Sequence, residues 1–383
     1  MRVRHGELRA PELTLGQKIW QLNWGLLLLV SMVTGVGLAM LYSAANGDWD
    51  PWASRHAVRF GMGVGVMLAV ALIDIRFWMR YAYAIYAVAL ILLVAVEVAG
   101  TIGMGAQRWI DLRFFQLQPS EIMKIALVLA LARYFHTLNF EDIGRLSPLI
   151  TPALMVGAPV VLILRQPDLG TALMLAAGSA VLFFLAGVRI WKFLVAGTAG
   201  LACIPVAWNF LHDYQKKRVL TFLDPEKDPL GSGYHILQSK IAMGSGGMTG
   251  KGFIRGTQSH LNFLPEKQTD FIFTMLAEEF GLVGGVALMA LYALIMIYGF
   301  AIAVRARSQF ARLVGMGVTT TFSLYVFINI AMVMGVIPVV GVPLPLVSYG
   351  GTAMLTVMIG FGLLMNVYVH RDVRIGRRWS DHG

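Results

Sequence analysis

The stretch 19–42, IWQLNWGLLLLVSMVTGVGLAMLY, decides the fold class. It carries no charge and is longer than the ~20 residues needed to cross a hydrocarbon core. It also exceeds the roughly 7 to 15 apolar residues of a signal-peptide core, so behind Arg2, Arg4, Arg9 and Lys18 it reads as an uncleaved first span. Runs of the same kind recur at about 57–73, 81–100, 121–135, 148–164, 169–188, 193–211, 271–304, 313–337 and 351–369. The expectation is an all-α integral membrane protein of ten transmembrane helices, one polytopic domain over 1–383, with no second folded domain and no internal repeat.

Composition agrees. Of 383 residues 57% are hydrophobic and 14% charged, against roughly 45–50% and about 25% in a soluble domain. Collagen, coiled coil and disorder are excluded on the same numbers. The single cysteine, Cys203, allows neither an intrachain disulfide nor a cysteine metal site. A net charge of +10 in a soluble chain would point to nucleic acid, but here charge is sorted by membrane side and no basic-aromatic nucleic-acid module stands out. With ten spans both termini share one side. Lys and Arg concentrate there, at Arg76, Arg80, Arg189, Lys192, Arg305, Arg307, Arg312, Arg371, Arg374, Arg377 and Arg378, which makes that side cytoplasmic.

The opposite side receives a large extracytoplasmic loop, 212–270, between the seventh and eighth spans. Loops of this length are functional or disordered, and apolar residues such as Ile236, Ile241, Phe253, Leu261 and Phe263 are spaced to suit interfacial amphipathic helices. Within it GSGGMTGKG, 244–252, is not a Walker motif. Ser245 stands where the first glycine belongs and Gly252 replaces the magnesium-binding hydroxyl. It is a flexible Gly-rich turn or an anion nest beside Lys251 and Arg255.

Four further motifs place ionisable groups at membrane boundaries. The segment ending the loop brings Glu266, Lys267 and Asp270 to the mouth of the eighth span, where Asp270 is a base or a helix N-cap and Glu278 and Glu279 complement a helix dipole. In QPSEIMK, Pro119 suits a first helical position and Glu121 the first turn. Lys124, three residues on, neutralises Glu121 or serves function, since charge inside a span faces the bundle interior. In RQPDLG, Asp168 is an N-cap, yet an Asp beside Arg165 at this face also suits a cation or a phosphate. Finally PVVGVPLPLVSYGG, 338–351, has too much Pro and Gly to be a helix. It is either a tightly packed turn or the lining of a cavity, with Ser348, Tyr349 and Gly350 as lining residues. The histidines show no metal-ligand spacing.

Taken together, GAQRWIDL, FQLQPSE, QPDLGTA, DPEKDPLGSGYHILQSKIAMGSGG, GKGFIRGTQS, FLPEKQTDFIF and PVVGVPLPLVSYGG resemble the SEDS family, and its elongation-specific branch more than its division-specific one. The resemblance runs from the first span to the last. It implies a peptidoglycan glycosyltransferase of the bacterial cytoplasmic (inner) membrane that joins lipid II disaccharides into glycan, with its catalytic face periplasmic. It also implies a class B penicillin-binding protein as partner within an elongation complex of other membrane proteins. Residue by residue, the family's essential aspartate falls on Asp270, its glutamate on Glu121 followed by Lys124, and its second aspartate on Asp168; Gln268 departs from the histidine common at that position.

That chemistry suits the residues. A sugar on a diphosphate already has a good leaving group, so one base suffices where glycosidases need two carboxylates. The expected roles are Asp270 as base in an inverting transfer, with Lys251, Arg255, Lys267 and Lys124 offsetting diphosphate charge. A divalent cation (Mg or Mn) near Glu121 or Asp168 is the one cofactor this chemistry admits; no organic cofactor is expected. The competing readings are a lipid II flippase or other transporter using Asp168, Glu121 and Lys124 as a path, and a non-catalytic scaffold of the elongation complex.

Overall fold

The computed structural model describes residues 14–103, 106–111, 116–210, 216, 220–222, 224, 232–261 and 266–376. Residues 212–215, 217–219, 223 and 225–231 of the expected outer loop, with Phe263, Arg2, Arg4, Arg9, Arg377 and Arg378, lie outside them. The helices are α1 (Leu15–Trp20), α2 (Trp24–Ala44), α3 (Trp52–Leu72), α4 (Ile75–Ala99), α5 (Pro119–Thr137), α6 (Phe140–Ile143), α7 (Ser147–Arg165), α8 (Leu169–Ala186), α9 (Ile190–Phe210), α10 (Ser232–Gly246), α11 (Thr257–His260), α12 (Ile272–Arg305), α13 (Gln309–Val333) and α14 (Gly351–Val369).

Among the described residues eight of these, α2, α3, α4, α7, α8, α12, α13 and α14, are long and apolar enough to cross a membrane. The fourth and seventh expected spans also form helices, α5 and α9. The first of them carries Glu121, Lys124 and Arg133 and is not simply an apolar rod.

Burial sorts the bundle. The apolar windows of α14 and α13 are 78% and 67% buried, against 22% for α4 and α7, so α13 and α14 form its centre together with α5, whose residues from Pro119 to Ala132 are nearly all buried. Large apolar side chains such as Leu28, Ile91, Leu154, Leu201 and Ile297 stay exposed on the outer helices, as expected where lipid replaces water. Close helix approach is bought with small residues. At Gly362, where α14 crosses α3, an added Cβ would stand 2.8 Å from the Met67 carbonyl oxygen.

Two features depart from an all-α bundle of continuous spans. Between α4 and α5 the chain forms a small antiparallel sheet, β1 (Thr101–Gly103), β2 (Ala106–Asp111) and β3 (Gln116–Leu117), in the order β1-β2-β3. Paired edges satisfy the backbone of a connection too polar to continue as a span. The second departure is in α12, which breaks at Gly281 (φ 66°, ψ −160°). A left-handed residue interrupts the helical ladder there, and Ala at this position would also press within 2.4 Å of the Gly250 nitrogen. α12 is therefore a short helix from 272 to 280 followed by a membrane-length helix.

Candidate active site

The amino terminus of α5 builds the first part of the site. Pro119 occupies the first turn, where its missing N–H costs nothing, and sets Glu121 and Lys124 on one face. Lys124 Nζ donates to Glu121 Oε1 at 2.6 Å, both residues being 4% exposed. Neither is left to neutralise the other alone. The Tyr325 hydroxyl, from α13, donates to Glu121 Oε2 and accepts from Lys124 Nζ, which also lies 4.2 Å from the Tyr325 ring centroid. A buried ion pair is favourable only when its remaining lone pairs and protons are satisfied, and Tyr325 satisfies both ends.

Asp168 lies within electrostatic reach of the same tyrosine. Its capping role is real: Oδ1 accepts from the Thr171 amide at 3.1 Å and Oδ2 from Thr171 Oγ1 at 2.9 Å, closing the first turn of α8. The cation beside it is Arg108, from β2, with NH1 at 3.8 Å from Asp168 Oδ2 while the same guanidinium donates to the Gln166 and Pro167 carbonyls. The sheet thus has a purpose in positioning. The oxygens of these two acids accept from Lys124, Tyr325 and Thr171, and no group of three or more His, Cys, Asp or Glu side chains suited to a metal ion occurs among the described residues.

Asp270 sits just ahead of α12. Phe271, not Asp270, occupies the N-cap position. The half-buried residue is held through its backbone: Asn329 Nδ2 donates to the Asp270 carbonyl at 3.0 Å and to the Val342 carbonyl at 2.7 Å. Its carboxylate Oδ2 is 3.4 Å from where a Gly341 Cβ would stand (φ 71°), an approach that a side chain would crowd. Lys267 is 7% exposed, and burial pulls its ammonium below the ordinary lysine range.

The Pro-rich segment holds this loop in place. Ser348 Oγ donates to the Thr269 carbonyl at 2.6 Å and accepts from the Leu344 amide at 2.7 Å, and the Tyr349 amide donates to the Gln268 carbonyl at 2.8 Å. His56 Nε2 contacts the Leu346 carbonyl at 3.0 Å and Tyr292 donates to the Pro345 carbonyl at 2.6 Å. The segment is mainly a packed turn. Ser348 and Gly350 do border a cavity of about 10 Å³, shared with Tyr325, which is room for a single water. Tyr349 instead lies under the Arg59 guanidinium, 4.6 Å from ring centroid to Cζ.

The Gly-rich turn is not an anion nest. Its amides are spent on the break in α12: Lys251 N donates to the Glu278 carbonyl at 3.1 Å and Gly252 N to the Glu279 carbonyl at 3.0 Å, while Gly247 and Met248 carbonyls accept from Leu282 and Val283 at 2.9 and 3.1 Å. The turn supplies the hydrogen bonds the interrupted helix lost. Lys251 Nζ is held by the fully buried Glu278 at 2.8 Å and by Thr257 Oγ1 at 2.7 Å. Arg255 is exposed and lies across Gly252. Glu279, also fully buried, accepts from Ser43 Oγ at 2.6 Å and contacts His260 Nε2 at 3.1 Å. Lys251 is thus tied to the clamp through Glu278 and Thr257, with its side chain 25% exposed. Glu278 and Glu279 are likewise not dipole partners in a first turn. They lie about 12 Å along the helix from Asp270, eight residues at 1.5 Å each, and clamp the turn.

Sequence reasoning assigns no role to Tyr325, Asn329 or Arg108. The signal for the first two is present: polar residues four apart in an otherwise apolar span share one interior face.

With this geometry in hand, comparison is decisive. Residues 19–373 match the FtsW, RodA and SpoVE family, described as cell cycle proteins. The chain belongs to this family. Among its relatives, the Escherichia coli K12 protein named peptidoglycan glycosyltransferase MrdB is 46% identical over 91% of this chain and 94% of its own. Stage V sporulation protein E of Bacillus subtilis is 35% identical over 89% and 95%. Of solved structures, a chain from a peptidoglycan synthase complex in which polymerization and crosslinking are coordinated superposes with a TM-score of 0.79 at 34% identity, covering 91% of this chain and 98% of that one. The Thermus thermophilus rod shape determining protein RodA gives 0.69 at 30% identity, over 91% and 97%. Family membership and the apolar helices make this a multi-pass membrane protein.

Proposed function

We propose that the chain is a peptidoglycan glycosyltransferase that polymerises lipid II, the undecaprenyl-diphosphate-linked disaccharide-pentapeptide, for cell-wall elongation and rod-shape maintenance. The observation that carries the reading is the 46% identity, across nearly the whole chain, to a relative named for that activity. The site supports it, because Asp270 is placed by backbone contacts at the head of a helix.

In this reading Asp270 takes the proton from the 4-hydroxyl of the acceptor GlcNAc, and that oxygen bonds to the anomeric carbon of the donor MurNAc with inversion. The bond to the diphosphate breaks and the diphosphate leaves with the electron pair. Lys267 faces the charge that develops on it. The Glu121–Lys124–Tyr325 cluster, with Asp168 and Arg108, forms the polar floor between the helices. No step is routed through a resident divalent cation at Glu121 or Asp168, whose oxygens are already engaged.

The full topology in this proposal is ten spans in the bacterial inner membrane, with both termini cytoplasmic and the 212–270 loop and catalytic face periplasmic. A class B penicillin-binding protein would be the transpeptidase partner, which the likeness to a chain of a polymerising and crosslinking complex supports. The test is glycan synthesis from purified lipid II by the complex, its transpeptidase blocked with a β-lactam. Long glycan is expected. Lipid II crossing a vesicle bilayer with no glycan formed would replace the enzyme by a flippase.

A further inference from the structure

One face of α13 touches both halves of the site. Tyr325 satisfies the Glu121–Lys124 pair, and Asn329, one turn further along the same face, donates both amide hydrogens to backbone carbonyls, those of Asp270 and Val342. Both residues are buried, Tyr325 at 2% exposure and Asn329 at 0%. Neither interaction is needed to hold α13 as a helix, whereas an apolar side chain in either place would leave buried polar groups of its partners unsatisfied. These polar groups tie α13 to three separate elements: the ion pair on α5, and the backbone of the Asp270 loop and of the Pro-rich segment.

We propose that Tyr325 and Asn329 are positioning residues for glycosyl transfer, Tyr325 setting the rotamers of Glu121 and Lys124 and Asn329 setting the register of the loop that carries Asp270. The inference rests on the glycosyltransferase reading of this site. Its physical basis is geometric tolerance. A misplacement of about 1 Å at a reacting group costs about a hundredfold in rate, and the Asp270 backbone has Asn329 as its side-chain tether, while the Glu121 carboxylate has only two short polar contacts among the described hydrogen bonds. The Asn329 Oδ1 atom finds no partner of its own, so this side chain is in place for what its Nδ2 does.

The two residues act through others, so their removal should lower turnover and leave substrate capture intact. Tyr325→Phe deletes one oxygen and keeps the packing of the ring; Asn329→Ala removes the tether. In the purified complex with its penicillin-binding partner, kcat for glycan synthesis should fall at least tenfold in each variant. The KM for lipid II should stay within about twofold and the melting temperature within about 2 °C for Tyr325→Phe. A kcat within twofold of the native chain in both variants overturns the proposal. So does a loss that disappears when rates are divided by the folded fraction, because that is a structural role. Asp270→Asn run alongside separates the two levels: if it retains native activity the enzyme reading of the site fails, whereas if it is inactive while Tyr325→Phe and Asn329→Ala are native, only the positioning role fails.

Discussion

Two buried carboxylate clusters occupy this protein, and they do different work. At the amino end of α5, Glu121 is neutralised inside the bundle by Lys124 and Tyr325, next to Asp168 and the Asp270 loop. At the break in α12, Glu278 and Glu279 hold Lys251, Ser43 and His260 while the Gly-rich turn closes the interrupted helix. The second cluster carries the motif that looks like a phosphate loop, yet every amide it would offer an anion for which a bond is seen goes to a carbonyl. Resemblance to a ligand-binding turn therefore says little until the backbone donors have been counted. The cluster inside the spans, less conspicuous as a motif, is the one joined through α13 to the Asp270 loop.

Substitutions at the clamp should first lower stability. Gly250 is the most sensitive point, since φ is +80° and an added Cβ would stand 2.1 Å from the Glu279 carbonyl oxygen. Gly250→Ala should cost more than about 4 kcal/mol, the exceptional end of single substitutions, read as loss of folded protein on size exclusion and in thermal melts. Lys251→Met strands the buried Glu278 and should cost on the order of 3 kcal/mol, with the polymerisation rate per folded molecule kept. If Lys251→Met instead raises the KM for lipid II with stability unchanged, Lys251 is a ligand group and the comparison breaks.

Lys267 sharpens the other side. Burial holds its ammonium below the ordinary lysine range, so it loses its proton on the alkaline side before a free lysine with a pKa of about 10.4 would. The folded chain bears the burial penalty at neutral pH and is relieved of it as pH rises toward the unfolded value, so stability should rise slightly across that window. Substrate capture should move the opposite way, with KM for lipid II rising, and Lys267→Arg should flatten that rise because a guanidinium stays charged. The smallest effect is at Asp142, whose pair with the well-exposed Arg145 spans 3.6 Å. Asp142→Ala should change stability by less than about 0.5 kcal/mol in thermal melts.

Much of the bundle is legible in the sequence because apolar length is a direct consequence of hydrocarbon thickness. The helix starts at Pro119 and Asp168 fall where proline and capping chemistry put them. The sheet around Arg108 was not legible, since its short strands carry no long alternation. The break at Gly281 was hidden because one glycine in an apolar run is indistinguishable from packing glycines such as Gly362 until its backbone angles are known. For the site, Glu121, Lys124, Asp168 and Asp270 are visible as misplaced charge. Tyr325 and Asn329 show in the sequence only as two polar residues on one face of a span, and which groups they hold follows from the helices packed against them.

The most direct test sets one carboxylate from each region against the other, comparing Asp270→Asn with Glu279→Gln for glycan synthesis from lipid II and for thermal unfolding in the same complex. The account predicts that Asp270→Asn loses about a hundredfold or more in kcat at an unchanged melting temperature, and that Glu279→Gln melts lower while its folded molecules polymerise normally. Native polymerisation by Asp270→Asn, or a fully folded Glu279→Gln that makes no glycan, would contradict it.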